Sequence, residues 1–218
     1  MTIDSCPPSA NPSEQYPGDC EFTQFLRERA QARHGGKTGP LSRQACLNRA
    51  KDIKLLLLDV DGVLTDGSIT YTNSGDEIKT FHCRDGFGMN MLQKIGVEIG
   101  LITARRSEAL ERRARDLKLT HVFQGTRRKM EVFNTLLNQL QFTPQQVAFM
   151  GDDWLDLPVL TQVGLAATVA DGAPELLPVV DFVSTHPGGH GAVRDLCDLI
   201  IEAQGRRQDL LNEYMTRQ

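Results

Sequence analysis

Residues 54–59 read Lys-Leu-Leu-Leu-Leu-Asp, an apolar run with none of the polar alternation of a strand that faces water on one side. Such a strand must be covered on both faces, and a parallel sheet between two layers of helix provides that cover. Downstream, the chain alternates short β-branched or apolar runs with longer amphipathic stretches, the rhythm of βαβ units. Strands are predicted over 54–59, 97–103, 121–124, 147–151, 165–169 and 182–184, and helices over 86–94, 108–117, 128–140, 155–162 and 191–204. After the first strand, 68–72 and 78–83 flank Asn-Ser-Gly-Asp-Glu, the pattern of a β-hairpin with a five-residue loop. Ser107 is placed to cap the helix that follows it, and Thr143-Pro144 reads as a cap with proline at the first helical position. The expected fold is α/β, a Rossmann-like doubly wound parallel sheet with helices on both faces and a β-hairpin after strand 1.

Three segments divide the chain. Residues 1–40 form an extension: Pro7, Pro8, Pro12 and Pro17 stand among Ser, Asn and Glu, too little apolar surface to offset the entropy of ordering, and 21–34 reads as a short helix ended by Gly35 and Gly36. Residues 41–205 form the compact domain, opening with a short helix over 42–51, and 206–218 (RRQDLLNEYMTRQ) read as a polar tail. A net charge of −4, with no run of five Lys or Arg, argues against nucleic acid or an anionic membrane as the main partner and leaves small anions open. No apolar run approaches the roughly 18 residues of a membrane span, and the start lacks the basic and apolar regions of a secretory signal, so a cytoplasmic protein is expected. Five cysteines without a CxxC pair fit reduced thiols, with Cys46 and Cys197 on apolar helix faces.

In open parallel sheets, chemistry gathers beyond the carboxyl ends of the strands. There the chain sets Asp59-Val60-Asp61-Gly62, then Thr103, then Lys129 after the third strand's loop, then Gly151-Asp152-Asp153. Each group alone is more often a turn, a cap or a solvated side chain; together, in this order, they point to phosphoryl transfer with a divalent metal. Paired carboxylates repel unless a cation lies between them, and Mg²⁺ prefers oxygen ligands. Asp59, Asp152 and the Asp61 carbonyl would hold it, while the other oxygen of Asp59 attacks phosphorus. Thr103 would bond a phosphoryl oxygen and Lys129 would neutralise its charge. Asp61 would protonate the leaving alkoxide and then activate water. Gly62 leaves backbone amides open to the phosphate, and Asp153 would hold the metal's waters or Lys129 from behind.

These groups resemble the four motifs of the haloacid dehalogenase superfamily: DVDGVLTDG at 59–67, LITAR at 101–105, Lys129, and GDDWLDLP at 151–158. From about 53 to 205, including FHCRDGFGMNMLQKIG at 81–96 and GGHGAVRDLCDLI at 188–200, the chain is similar to the branch that dephosphorylates 3-deoxy-D-manno-octulosonate 8-phosphate, a lipopolysaccharide sugar. That resemblance implies Mg²⁺-dependent hydrolysis through Asp59, with Asp61 as acid and base. Asp61 and Thr103 are 42 residues apart and Thr103 and Lys129 are 26 apart, too few at either place for a cap domain. The resemblance then implies a homotetramer in which a neighbour's hairpin closes each site. It also gives the glycines at 188, 189 and 191 a lid role beside the plain alternative of a loop before the last helix.

Within this branch Arg105 stands where relatives acting on nine-carbon sugar acids carry Glu, and a guanidinium can pair with a substrate carboxylate. Arg84 and Arg113 are the further cations expected near the ligand. Ala104 and His190 depart from the branch's usual Gly and basic residue. Two alternatives stay open: a phosphatase for a nine-carbon sialic-type acid 9-phosphate, and a non-catalytic oligomerisation module of the same fold. A signalling receiver domain is disfavoured, because its phosphoacceptor would lie where this chain has Gln124-Gly125.

Overall fold

The computed structural model describes residues 39–216, together with Gln24 and Glu28. The expectations of disorder over 1–20 and of a helix over 21–34 lie outside the described residues, except that Gln24 and Glu28 are helical and joined by a 3.0 Å side-chain hydrogen bond. The central sheet comprises β1 (Leu55–Leu58), β4 (Glu98–Ile102), β5 (His121–Phe123), β6 (Val147–Gly151), β7 (Leu165–Thr168) and β8 (Phe182–Val183). Its order is β5-β4-β1-β6-β7-β8, and every pairing is parallel.

Strand β1 explains both layers of the fold. Leu56 and Leu58 point into one core, with helices α1 (Arg43–Ala50), α2 (Cys83–Lys94), α3 (Glu108–Asp116), α6 (Ala192–Ala203) and α7 (Arg207–Thr216). Leu55 and Leu57 point into the other, with α4 (Lys129–Leu140) and α5 (Leu157–Leu160). All four leucines are fully buried, as alternation along a strand covered on both faces demands. The chain leaves β1 for β4 and β5, then returns to place β6 on the other side of β1. This reversal opens a crevice at the carboxyl end of β1, where open α/β sheets bind ligands.

Helix α1 is capped by Ser42, whose hydroxyl accepts from the Ala45 amide at 3.4 Å, and it docks through Arg49, which lies 3.2 Å from the buried Asp181 carboxylate. The hairpin forms from β2 (Thr70–Tyr71) and β3 (Glu77–Ile78), closed by Asp76, which accepts from Ser74 Oγ at 2.6 Å. It stands apart from the main sheet and exposes Ile69, Tyr71 and Ile78 by half or more. Between β1 and β4 only this hairpin and α2 intervene, and between β4 and α4 only α3 and β5, so there is no cap domain.

Three local expectations change. Helix α2 begins at Cys83, ahead of the predicted start at 86, and so takes Gly86 and Gly88 into its interior. A Cβ at Gly86 would strike the Arg113 guanidinium, and one at Gly88 would lie 3.1 Å from the Cys197 Cβ; close packing demands glycine there. The helix predicted over 155–162 is split into a 3₁₀ turn, Trp154–Asp156, and the four-residue α5, because the Asp156 carboxylate turns back onto the loop before it. The polar tail forms α7, which buries Leu210 and joins α2 through a 2.9 Å Lys94–Glu213 ion pair.

Candidate active site

The crevice is built from the β1 loop upward. Asp59 continues β1, its amide donating to the Met150 carbonyl at 3.0 Å, which fixes its position beside β6. Thr65, buried, donates to the Val60 carbonyl at 3.4 Å and accepts from the amides of Gly62 and Gly67, closing the loop 60–67 on itself. Gly62 has φ +91°, and a Cβ there would collide with the Asp152 carboxylate. Its absence is what lets a β6 carboxylate approach the β1 loop. The glycine loop packs against the same turn: Gly189 donates to the Val63 carbonyl at 3.0 Å and Gly188 to Asp171 Oδ1 at 2.9 Å, so this loop is docked against backbone. His190 is exposed and its ring bonds the Gly188 carbonyl at 2.7 Å.

Asp59 and Asp61 face different partners. Lys129, at the start of α4 and almost fully buried, lies 2.9 Å from Asp59 Oδ1 and 2.6 Å from Asp156 Oδ1. Burial works against its charge, but Asp156 and Asp59 together outweigh that and raise its pKa. Asp61 accepts a hydrogen bond from Thr103 Oγ1 at 3.2 Å on one oxygen and one from Lys79 on the other. Lys79, just past β3, also pairs with Glu77 at 2.9 Å, and Glu77 in turn holds Arg105. Lys79 and Arg105 draw the Glu77 carboxyl below its ordinary range.

Asp59, Asp152 and Asp156 each offer an oxygen within 4.8 Å of the others, a donor set suited to a hard divalent cation. Burial first, then the like charges of Asp59 and Asp156, raises the Asp152 pKa. A dication among these oxygens would relieve that repulsion, so the residues present fit Mg²⁺. The carboxylate of Asp61, a residue expected from the sequence beside Asp59 and Asp152, is outside this group, and Asp156 is within it.

Of the two roles expected for Asp153, the hold on Lys129 is corrected: Asp153 is exposed and caps its own turn, accepting from the Trp154 amide at 2.7 Å. The fully buried Asp156 holds Lys129 instead and also accepts from the Asp152 amide at 3.0 Å. Arg113 serves the fold, donating to the His82 carbonyl at 3.3 Å beneath α2. Arg84 is exposed on the first turn of α2, and Arg105 is latched to Glu77 with its Nη2 3.4 Å from the Tyr71 hydroxyl. Sequence reasoning missed Asp156, Lys79 and Glu77. The signal for the first was a carboxylate between Leu155 and Leu157; for the others it was strand alternation, which sets 77 and 79 on one face.

The parallel sheet, the switch-point crevice and the acidic cluster facing a buried lysine define a haloacid dehalogenase-like hydrolase, and the family model of that description matches residues 119–195. The 3-deoxy-D-manno-octulosonate 8-phosphate phosphatase of Escherichia coli K12 is 44% identical over 77% of this chain and 89% of its own length. The crystal structure of the Yersinia pestis phosphatase of that name is 46% identical, covers 75% of this chain and 88% of that one, and superposes with a TM-score of 0.74. The Moraxella catarrhalis phosphatase, solved with magnesium ion, phosphate ion and KDO molecule, is 35% identical over 78% of this chain and 98% of that one, with a TM-score of 0.77. The chain belongs to the 3-deoxy-D-manno-octulosonate 8-phosphate phosphatase family.

Proposed function

We propose that this protein is a Mg²⁺-dependent phosphomonoesterase whose substrate is 3-deoxy-D-manno-octulosonate 8-phosphate, acting in the cytoplasm in lipopolysaccharide sugar synthesis. The proposal rests on the separate settings of Asp59 and Asp61: one carboxylate beside a buried lysine and two further acids, the other beside a hydroxyl and facing a different cation. Two carboxylates in distinct environments can take distinct roles.

Asp59 is the nucleophile. As its oxygen bonds phosphorus, the ester P–O bond breaks, and the leaving oxygen takes the proton of Asp61. In the second step a water gives Asp61 a proton while its oxygen bonds phosphorus and the Asp59–phosphorus bond breaks. Lys129 offsets the charge on the transferred group, and the Thr103 hydroxyl bonds a phosphoryl oxygen. Asp59, Asp152 and the Asp61 carbonyl would hold Mg²⁺, which when bound polarises the phosphoryl oxygens. Arg105, with Arg84, meets the sugar-acid carboxylate and hydroxyls, Gly62 gives the phosphate room, and the family resemblance supports octulosonate over the nine-carbon acids. The crevice lacks a cap and the hairpin exposes Ile69, Tyr71 and Ile78, which supports closure by a neighbour's hairpin in a homotetramer.

The test is a panel of sugar-acid and sugar phosphates assayed with Mg²⁺. The octulosonate ester should give the highest kcat/KM, and Asp59→Asn should abolish turnover. A higher kcat/KM for a sialic-type 9-phosphate would replace the substrate, and full turnover by Asp59→Asn would remove the mechanism.

A further inference from the structure

We propose that Lys79, carried by the hairpin, is a positioning residue for Asp61, holding its carboxylate against Thr103 and stabilising the charge it gains on giving up its proton. The inference deepens the phosphatase reading and rests on it. The Lys79 side chain is only 3% exposed although it leaves a two-stranded hairpin outside the main sheet. A buried ammonium needs anionic partners, and Lys79 has two: Asp61 and Glu77. Thr103, just past β4, donates to the other oxygen of Asp61 in the ligand-free site; once its single O–H turns to a phosphoryl oxygen, the hairpin's hold through Lys79 keeps the carboxylate in place. Glu77 is itself anchored by Arg105, beyond the end of β4, so the grip does not depend on the hairpin's own stiffness.

The chemistry follows from charge. When the ester P–O bond breaks, its electron pair goes to the leaving oxygen, the Asp61 proton moves onto that oxygen, and Asp61 becomes an anion. An ammonium already at hydrogen-bond distance stabilises that anion without rearrangement. An alkyl ester needs this proton as its bond breaks; a p-nitrophenyl ester, which leaves as a stable phenolate, does not.

The experiment measures alcohol release in a single turnover of the full-length Mg²⁺-loaded enzyme on glycerol phosphate and on p-nitrophenyl phosphate, so that it is independent of which sugar acid is the natural substrate. Lys79→Met should slow release from the alkyl ester about 30-fold, less than the roughly 10²–10⁴-fold that a general acid supplies in full, because Asp61 itself remains, and leave p-nitrophenol release within about threefold of wild type. Lys79→Arg, which restores the cation, should recover most of the loss. Equal losses on both esters in a variant that melts like wild type, or no loss on either, would overturn the inference. Should Lys79→Met not fold, Lys79→Gln carries the same comparison. Failure of octulosonate turnover alone would strike the substrate assignment and leave this one standing.

Discussion

The Asp156 side chain joins structure to chemistry at the scale of single atoms: one oxygen holds Lys129, and the other accepts the Asp152 and Asp153 amides. Gly151 makes room for it, since a Cβ there would meet that carboxylate. Asp156→Asn keeps the volume and an acceptor but leaves Lys129 with Asp59 as its remaining carboxylate. Because half of the pairing survives, the cost should be about 2 kcal/mol, below the 3–5 typical of a buried ion left alone, read as a shift in urea denaturation. Turnover should fall at least tenfold, roughly the loss seen when a group supporting a catalytic ligand is removed, as Lys129 turns away from the phosphoryl position. At this scale Asp59, Asp61, Thr103, Lys129 and Asp152 were legible, because each falls at a strand's carboxyl end or the helix start after it. Asp153 and Asp156 were not told apart: three residues of separation decide nothing until a 3₁₀ turn folds the second inward. Strand alternation could pair Lys79 with Glu77 but not with Asp61, which lies across a hairpin whose path only the fold defines.

Among the elements, helix α6 shows how a helix's first turn can be tied to the loop before it. Asp195 there accepts from Ser184 Oγ at 2.8 Å, Thr185 Oγ1 at 2.9 Å and His186 Nδ1 at 2.9 Å. Burial would raise its carboxyl pKa, but the bonds from His186, Ser184 and Thr185 outweigh it and lower the pKa below the ordinary value. A carboxylate with a folded pKa below its unfolded one stabilises the protein above the unfolded value, near 3.9, and loses that contribution as pH falls through the folded value. Asp195→Asn should therefore lower the melting temperature at pH 7, by about 2 °C given the group's partial exposure. The gap from wild type should stay constant down to about pH 5 and close below about pH 4; a gap that widens in acid would contradict this. Strand positions in the central sheet were legible almost to the residue, since apolar runs bounded by Gly, Asp and Lys leave little freedom, whereas the hairpin strands expected over 68–72 and 78–83 shorten to Thr70–Tyr71 and Glu77–Ile78. The start of α2 and the helical state of α7 were not: two glycines and a polar composition argue against helix locally, and packing against α6 and α3 overrides them.

Over the whole molecule, the sheet order brings Asp59 on β1 and Asp152 after β6 to one place and sets Asp156 behind them. That convergence costs electrostatic repulsion, so cation binding and folding should be coupled. Added Mg²⁺ should raise the melting temperature, with a stabilisation of about 2.7 kcal/mol at a hundred times its dissociation constant. Asp152→Asn should lose most of the Mg²⁺ dependence while melting no lower than wild type without metal, because it removes a repelled charge; calorimetry with and without chelator reads both. The amino-acid sequence by itself determined the parallel sheet and the strand-end positions of the candidate site residues, because burial on two faces and strand-end placement are local properties of composition and spacing. Tertiary structure alone decided which carboxylate holds Lys129, that Arg113 bonds the His82 carbonyl while Arg105 pairs with Glu77, and that a hairpin lysine grips Asp61. Those choices depend on distances between segments far apart in the chain, and such distances exist only once the sheet has closed.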